Sequence, residues 1–104
     1  MNKYNDNGLK EGPWEAYHYN GKLWYKGNYV NGERHGLSEK YWHNGNLWYK
    51  VNYFNDKLHG LYELYYIDGK ISCRVNYVNG KEHGLSEWYI YNGDINLWNL
   101  EFFL

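Results

Sequence analysis

The sequence predicts an all-β protein, an antiparallel meander of four 24-residue β-hairpin repeats with about eight strands. The first observation is a strict period: Gly-x-x-Glu-x-Tyr recurs every 24 residues, with no insertion or deletion between copies. The second is a pair of Asn-Gly or related turn dipeptides in each copy, and the third is the Tyr-, Trp-, Val- and Leu-rich run between them. A fixed period of this length indicates stacked supersecondary units and not the core of a globular enzyme.

The turn dipeptides place the elements in order along the chain. Each copy opens on one turn and is divided into two strands by a second, in the series Asn7-Gly8, Asn20-Gly21, Asn31-Gly32, Asn44-Gly45, Asn55-Asp56, Asp68-Gly69, Asn79-Gly80 and Asn92-Gly93. A two-residue type I′ turn needs positive φ at both central residues, so Asn-Gly is the strongest short hairpin signal. We divide the chain into a lead-in (1–6), the repeats over 7–97 (7–30, 31–54, 55–78 and 79–102) and an apolar capping or interaction segment (98–104).

Two-residue turns also predict which strand residues oppose one another. At Asn44-Gly45 they place Glu39 opposite Lys50, Tyr41 opposite Trp48 and Trp42 opposite Leu47. The same count pairs Glu15 with Lys26 and Glu63 with Arg74, whereas in the fourth copy Glu87 would face Trp98. One face then carries the charged pairs, the repeated Tyr, Trp24 and Trp48. The other is largely apolar, with Leu23, Leu47, Ile71 and Val75 among its residues.

Composition narrows the classes of function. The 104-residue chain has a net charge of −1. It therefore lacks the excess of positive charge on which nonspecific nucleic-acid binding depends. The single cysteine, Cys73, cannot form an internal disulfide, and no signal peptide or membrane-length apolar run is seen, so we expect a cytoplasmic protein without a transmembrane segment. The 14 Tyr and 6 Trp favour strands and also binding surfaces.

No residue pattern predicts catalysis, a cofactor or a metal site. His35, His59 and His83 lie one copy apart, roughly 10 Å across the sheet, which is too far to share one zinc ion. The repeated glutamates already have predicted Lys or Arg neighbours, and Cys73 has no paired histidine. We therefore expect a protein that is not an enzyme.

The unit Tyr-x-Asn-Gly-x-x-His-Gly-x-x-Glu-x-Tyr-x-x-Asn-Gly, seen over residues 29–45, resembles MORN repeats and in detail the bacterial antitoxin-like MORN variant. The resemblance runs from about Asn7 to about Ile95, and the first copy departs from it at residues 11–14. It implies a single-layer array of hairpins that serves as an interaction platform, mostly for proteins and in some cases for phospholipids. It supplies no catalytic residues.

Size and resemblance lead us to expect a binding protein that engages and inhibits a partner protein, as an antitoxin or a phage- or mobile-element-encoded inhibitor of a host enzyme. A homodimeric scaffold joined through the C-terminal strand, or a binder of single-stranded nucleic acid or carbohydrate, is the alternative left open. The apolar end should fold back over the apolar face or meet a partner chain. The candidate partner-binding residues are Tyr17, Trp24, Lys26, Tyr41, Trp48, Lys50, Tyr65, Arg74, Tyr89, Trp98, Leu100, Phe102 and Phe103.

Overall fold

A computed structural model of the protein describes residues 1–89 and 101–103, and every regular element in them is a β-strand. The strands are β1 (Lys3–Tyr4), β2 (Lys10–Tyr17), β3 (Leu23–Val30), β4 (Glu33–Arg34), β5 (Gly36–Tyr41), β6 (Leu47–Phe54), β7 (Lys57–Leu58), β8 (Gly60–Tyr65), β9 (Ile71–Val78), β10 (Lys81–Glu82), β11 (Gly84–Trp88) and β12 (Glu101–Phe103). Within this part of the chain, nothing helical has the length and apolarity to cross a membrane.

All of these strands belong to one open antiparallel sheet. Its order is β1-β2-β3-β5-β6-β8-β9-β11-β12, and the two-residue strands β4, β7 and β10 pair with β3, β6 and β9. The Cα atoms span 49 × 37 × 11 Å. Because stacked sheets lie about 10 Å apart before their outer pleats are counted, the thin dimension leaves room for one layer only. The predicted all-β hairpin meander is thereby confirmed.

The turns that open the copies are the predicted type I′ turns from the second copy onward. Asn31 and Gly32 have φ of 51° and 83°, Asn79 and Gly80 have 51° and 82°, and Asn55 and Asp56 have 50° and 66°. Asparagine and aspartate tolerate this left-handed region better than other non-glycine residues do. Each of these turns therefore needs only one glycine or none.

The turns within the first three copies differ from the prediction, and Asn92-Gly93 lies outside the described residues. Only the glycine is left-handed there, as at Gly45 with φ of 93°. Gly45 N–H donates to the Trp42 carbonyl (2.9 Å) and Trp42 N–H donates to the Asn46 carbonyl (2.8 Å), which closes a loop of three residues. Such a loop is a type I turn followed by a left-handed glycine. The Asn44 side chain accepts from Asn46 N–H (2.9 Å), so this asparagine stays in a right-handed conformation.

A β-bulge corrects the one-residue slip that the three-residue loop introduces. Tyr41 opposes Leu47, yet Lys40 opposes Tyr49, so Trp48 is the extra residue on β6. The same irregularity recurs at Ala16/Tyr17 and at Leu64/Tyr65. The predicted pairs Tyr41–Trp48 and Trp42–Leu47 are wrong for this reason. Beyond the bulge the predicted register is right, because a loop residue and a bulge residue cancel in parity.

The bulge leaves one row of alternating charge across the whole described sheet. Glu15, Lys26, Glu39, Lys50, Glu63, Arg74 and Glu87 are directly opposed in that order. The prediction found the pairs within each hairpin and missed the pairs between copies. Glu87 opposes Arg74, and its predicted partner Trp98 lies outside the described residues. We call the face with this row and Tyr17, Tyr41, Tyr65 and Tyr89 the charge-row face. The opposite face, with Tyr25, Ser38, Lys40, Tyr49, Val51 and Val75, is the groove face.

Side-chain hydrogen bonds join each copy to the next along one edge of the hairpins. His18 Nε2 is 2.9 Å from the Tyr41 carbonyl, Trp42 Nε1 donates to the Tyr65 carbonyl at 3.3 Å, and Tyr66 Oη donates to the Tyr89 carbonyl at 3.0 Å. These three donors occupy equivalent positions one period apart. The coupling between neighbours is what a stacked repeat array requires, because no single hairpin is stable alone.

The buried core is small and lies on the groove face. Val51, Cys73 and Val75 are 1 %, 0 % and 2 % exposed, and Ser38 and Ser86 are each 1 % exposed. Burial raises the pKa of the Cys73 thiol to about 11, so little thiolate forms near neutral pH. This supports a packing role for Cys73.

The C-terminal strand β12 extends the sheet. Gly84 opposes Phe103 and Ser86 opposes Glu101 in an antiparallel pair with β11. The expected fold-back over the apolar face is therefore wrong for the backbone of residues 101–103, which continues the edge instead. Trp98, Leu100 and Leu104 lie outside the described residues, and a partner-binding role for this segment stays a prediction.

The continuous charge row changes what we expect from reversing one of its pairs. Arg74 Nε and Glu63 Oε2 are 3.4 Å apart, and Glu63→Arg or Arg74→Glu alone should destabilise by about 0.2–1 kcal/mol for each opposed pair lost. If only the pairs within each hairpin affected stability, the double reversal would restore it. In the full row it creates like-charge contacts at Lys50 and Glu87, so recovery should be incomplete. Urea unfolding of the two single variants and the double variant measures this.

Reversal of Glu15 with Lys26 is the matched control, because Glu15 ends the described row and only Glu39 then meets a like charge. Recovery there should be more complete than for the internal pair. Full recovery at both places would contradict a row that extends across copies.

Candidate binding site

The structure divides the predicted partner-binding residues between the two faces. Tyr17, Lys26, Tyr41, Lys50, Tyr65, Arg74 and Tyr89 lie on the charge-row face as expected. Trp24 and Trp48 do not, because the bulge carries them to the groove face, where their ring centroids lie 5.0 and 5.5 Å from Lys40 Nζ. Conversely, the assignment of Leu23, Leu47 and Ile71 to the apolar face is wrong, since they oppose Tyr17, Tyr41 and Tyr65. Phe102 and Phe103 are placed by backbone only, in β12; Trp98 and Leu100 lie outside the described residues.

Tyrosine hydroxyls on the charge-row face are hydrogen-bonded within the face. The hydroxyls of Tyr17, Tyr65 and Tyr89 donate to the carboxylates two residues earlier, Glu15, Glu63 and Glu87. This hydrogen bond is the main cause that raises the pKa of Tyr17 and of Tyr89. For Tyr65, burial is the larger cause of its raised pKa, and Glu63 adds to it. A ligand would have to displace bonds already made, so this face is suited to holding the strands together.

The groove face is shaped by a missing side chain at Gly27. A Cβ at this position would lie 2.0 Å from the hydroxyl oxygen of Tyr25, whose ring therefore lies over the Gly27 backbone. The equivalent residues of the next two copies, Val51 and Val75, are buried and fill this space. Tyr25 and Tyr29 hydroxyls are 3.2 Å apart, and burial with this contact raises the pKa of Tyr29. Tyr25, Tyr29 and the Gly27 backbone thus form a floor in the first two copies that the later copies lack.

Lysine ammonium groups lie on aromatic rings at both ends of this floor. Lys10 Nζ is 4.7 Å from the Trp14 ring centroid and 5.0 Å from that of Tyr29. Lys40 Nζ lies 5.4 Å from the centroid of Tyr49, in addition to its contacts with the two tryptophans. Cation–π contacts of this length contribute about 0.5–1 kcal/mol when exposed. Within residues 1–89, neither ammonium has a carboxylate at ion-pair distance.

Arg34 is the third cation and is held differently. Its Nε lies 2.6 Å from Asp56 Oδ1, and its Nη1 donates to the Tyr53 hydroxyl at 3.1 Å. The guanidinium also lies 4.3 Å from the Tyr53 ring centroid. These hydrogen bonds lower the pKa of Asp56. Arg34 therefore has most of its charge balanced inside the protein, unlike the two lysines.

Ser38 lies on the floor between these cations with an unused hydroxyl. The residue is 1 % exposed, and its Oγ has no hydrogen-bond partner in the described structure. It opposes Val51 across β5–β6 and lies two residues before Lys40. A buried hydroxyl without a partner costs about 1–3 kcal/mol.

Together these residues line a groove of about 470 Å³ on the first two copies. Its lining includes Lys10, Trp14, Trp24, Tyr25, Tyr29, Arg34, Ser38, Lys40, Tyr49 and Tyr53. The positions of Lys10 and Arg34 are Leu58 and Glu82 in the later copies, and that of Lys40 is Leu64 and Trp88. The groove is thus basic and aromatic only where these first copies provide the cations.

The sequence did not predict most of this groove, because the alternating apolar residues that line it were expected to form only a packed face. The available signal was Lys40, which falls on that parity between Tyr25 and Tyr49. The spacing of residues along the chain did not indicate that Lys10 and Arg34 extend across the sheet to the rings of Tyr29 and Tyr53. Among the described residues, no three metal-ligating side chains come together.

The repeat geometry has a counterpart among known families. The family profile of the MORN repeat variant matches residues 10–31, 34–55 and 58–79, which is more than half of the chain. The chain belongs to the MORN repeat variant family. MORN repeats are a non-catalytic repeat type, and they generally bind proteins or membranes. A search of curated proteins gives no significant match.

Three MORN matches agree in phase with the hairpins of the structure. Each begins two residues before the glycine of Gly-x-x-Glu-x-Tyr and ends on the asparagine that starts a type I′ turn. The match confirms the resemblance to MORN repeats. The finer resemblance to an antitoxin-like subgroup stays a prediction.

Proposed function

We propose that this MORN protein is a non-enzymatic binding protein whose groove face takes a segment of a partner protein. The observation that carries the proposal is the pair of ammonium groups, on Lys10 and Lys40, that lie on aromatic rings with no carboxylate partner in residues 1–89. Tryptophan, tyrosine and arginine dominate protein-binding hot spots, and all three residue types line this groove. An open single-layer sheet also leaves this face accessible, since no second layer covers it.

Inhibition of the partner is the use that we propose for this binding. A thin sheet offers a surface and no enclosed cavity for chemistry, so its effect on a partner would come from occupying the partner's own surface. This is the antitoxin-like or phage-encoded inhibitor predicted from the sequence. A 1:1 complex that lowers the partner's activity supports it, whereas a complex that leaves that activity unchanged contradicts it.

Site-specific photo-crosslinking tests which face binds. Tyr53 on the groove face and Tyr41 on the charge-row face are each replaced by a benzophenone amino acid, one at a time, in cells that naturally make the chain. Both exchanges replace one tyrosine with a larger aromatic residue, so each serves as the control for the other. We expect one discrete adduct from position 53, and its purified partner should bind the unmodified chain at 1:1.

An adduct from position 41 alone would contradict the groove and favour the charge-row face. A crosslink between two copies of the chain would favour the homodimeric scaffold. Binding whose affinity falls steeply with salt and that is lost after nuclease treatment would favour a single-stranded nucleic acid.

A further inference from the structure

We infer that the partner segment is acidic, and that one of its aspartate or glutamate side chains is bound between Lys40 Nζ and Ser38 Oγ. The inference rests on the proposed function and names the chemistry of its partner. Its two supports are independent: within the described residues, the Lys40 ammonium group has no carboxylate at ion-pair distance, and the buried Ser38 hydroxyl has no hydrogen-bond partner. A carboxylate satisfies both at once, because it accepts a hydrogen bond from each.

Charge along the groove face favours an acidic occupant over the first two copies. Lys10, Arg34 and Lys40 all line the groove there. Asp56 balances only Arg34, and Glu15, which also borders the groove, opposes Lys26 in the charge row. Farther along the same sheet, Glu82 opposes Tyr77 and helps to raise the pKa of that tyrosine. An acidic segment is therefore attracted to one half of the face and repelled by the other. This asymmetry defines where on the sheet the segment lies.

Ser38 supplies the hydrogen-bond donor on the floor of the groove. In the register that pairs Tyr25 with Lys40, the next position sets Gly27 beside Ser38, so the missing side chain lies next to the unused hydroxyl. Tyr25 covers this spot and must shift its phenol for a carboxylate to reach Ser38. Ser86, two copies on, is equally buried and equally without a partner in the described structure, but Trp88 replaces the lysine beside it.

A polypeptide suits the groove better than a membrane or a nucleic acid does. The two lysine ammonium groups lie against rings, at 4.7–5.5 Å from the centroids, and do not project as a flat basic surface. With a net charge of −1, the whole chain is not attracted to anionic lipid or to a phosphate backbone. A carboxylate on a flexible side chain can enter the groove, whereas a planar array of headgroups contacts only its rim.

The probe is a short end-capped peptide in which glutamate alternates with leucine, and the control peptide has glutamine for glutamate. Both are titrated into the isotope-labelled full chain and followed by amide chemical shifts. We expect glutamate-dependent shifts at Gly27, Ser38 and Lys40, with affinity that weakens as salt rises. Vesicles of phosphatidylserine are the membrane arm of the experiment, and we expect no comparable binding to them.

Three variants separate binding from folding. Lys40→Gln should weaken binding of the glutamate peptide by about tenfold or more, because a hydrogen bond between two charged groups is lost, while Lys50→Gln on the charge-row face should not. Ser38→Ala should weaken it several-fold and yet raise the midpoint of thermal unfolding by a few degrees, because it removes an unsatisfied hydroxyl. Ser86→Ala is the matched control: the same rise in midpoint, with peptide affinity unchanged.

Equal shifts with the glutamate and glutamine peptides, or shifts confined to the charge-row face, overturn the inference. So does binding to the vesicles without binding to the peptide, or a Ser38→Ala variant that binds as tightly as the parent. If the natural partner crosslinks from position 53 and is retained by Lys40→Gln, the inference fails while the proposed function stands. If no partner is captured through the groove, the proposed function fails, whatever the peptide does.

Discussion

Replacing Val51 with aspartate should unfold the protein at neutral pH. Val51 is 1 % exposed at the centre of the array, opposite Ser38 and next to the row of charges on the other face. A carboxylate buried there without a partner costs several kcal/mol, and small domains have only about 5–15 kcal/mol of stability in total. A single-layer sheet has no second layer that could rearrange around the charge, so we expect loss of the β-sheet signal in far-ultraviolet circular dichroism.

The same change at an exposed valine is the control. Val78 lies in β9 and is 43 % exposed, so Val78→Asp should keep the fold and shift stability within about 0.5 kcal/mol. Val51→Ala should give an intermediate loss, because it removes apolar area without adding charge. A Val51→Asp protein that still unfolds cooperatively near the parent midpoint would show that the groove face is not the buried side of the sheet.

Alkaline pH should unfold the protein over the range in which free tyrosines ionise. Burial and neighbouring tyrosines raise the pKa of Tyr49 to about 12, and burial also raises the pKa of Tyr62 and Tyr77. In the unfolded chain these hydroxyls lose their protons near the ordinary pKa of 10.0. The unfolded state then holds fewer protons than the folded one, so stability is complete below pH 10 and falls as pH rises toward 12.

Tyrosinate absorbance and circular dichroism, followed together against pH, measure this effect. Two pKa units correspond to about 3 kcal/mol at most, and partial exposure of Tyr49 reduces that figure. Tyr49→Phe removes the hydroxyl and should move the unfolding midpoint to higher pH. Tyr19→Phe is the matched control, since Tyr19 is fully exposed, and should leave the midpoint in place. Ionisation of all tyrosines below the unfolding transition would contradict the assigned burial.

The two faces of this sheet have different tasks. On the charge-row face, each interior strand of the described row meets an opposite charge on both sides, and the hydroxyls of Tyr17, Tyr65 and Tyr89 donate to the carboxylates of the row. That arrangement sets the register of neighbouring strands, because a one-residue slip would exchange the faces. The groove face combines the small buried core with two lysines, Lys10 and Lys40, that have no carboxylate at ion-pair distance in residues 1–89. It is the side on which the sheet has interactions left to offer another molecule.

The binding groove is formed by residues that depart from the repeat pattern. A perfect repeat would have valine at position 27, and Tyr25 could not then lie over the backbone. Lys10, Arg34 and Lys40 likewise stand where later copies have Leu58, Glu82, Leu64 or Trp88. Repetition therefore accounts for the scaffold, and the residues that differ between copies account for where a partner can bind.

Local sequence was sufficient for the fold class, the strands and the charged pairs within each hairpin. Glu39 with Lys50 and Glu63 with Arg74 follow from counting through one turn, because such contacts depend on a few adjacent residues. Counting residues through a turn gives the right pairing only when the turn type is known. Asn44-Gly45 and Asn31-Gly32 are the same dipeptide, but one forms a three-residue loop with a bulge and the other a type I′ turn. The flanking strands decide between them.

The sequence by itself determined the period, the hairpins and the alternation of charged and apolar residues that gives the sheet one charged and one apolar face. Only the tertiary structure decided that Trp24 and Trp48 move to the groove face, that the charge row continues between copies, and that Lys40 meets both tryptophans. The physical reason is range. A hairpin is set by turn geometry over a few residues, whereas a cross-copy pair and a groove need strands about a period apart to be aligned first.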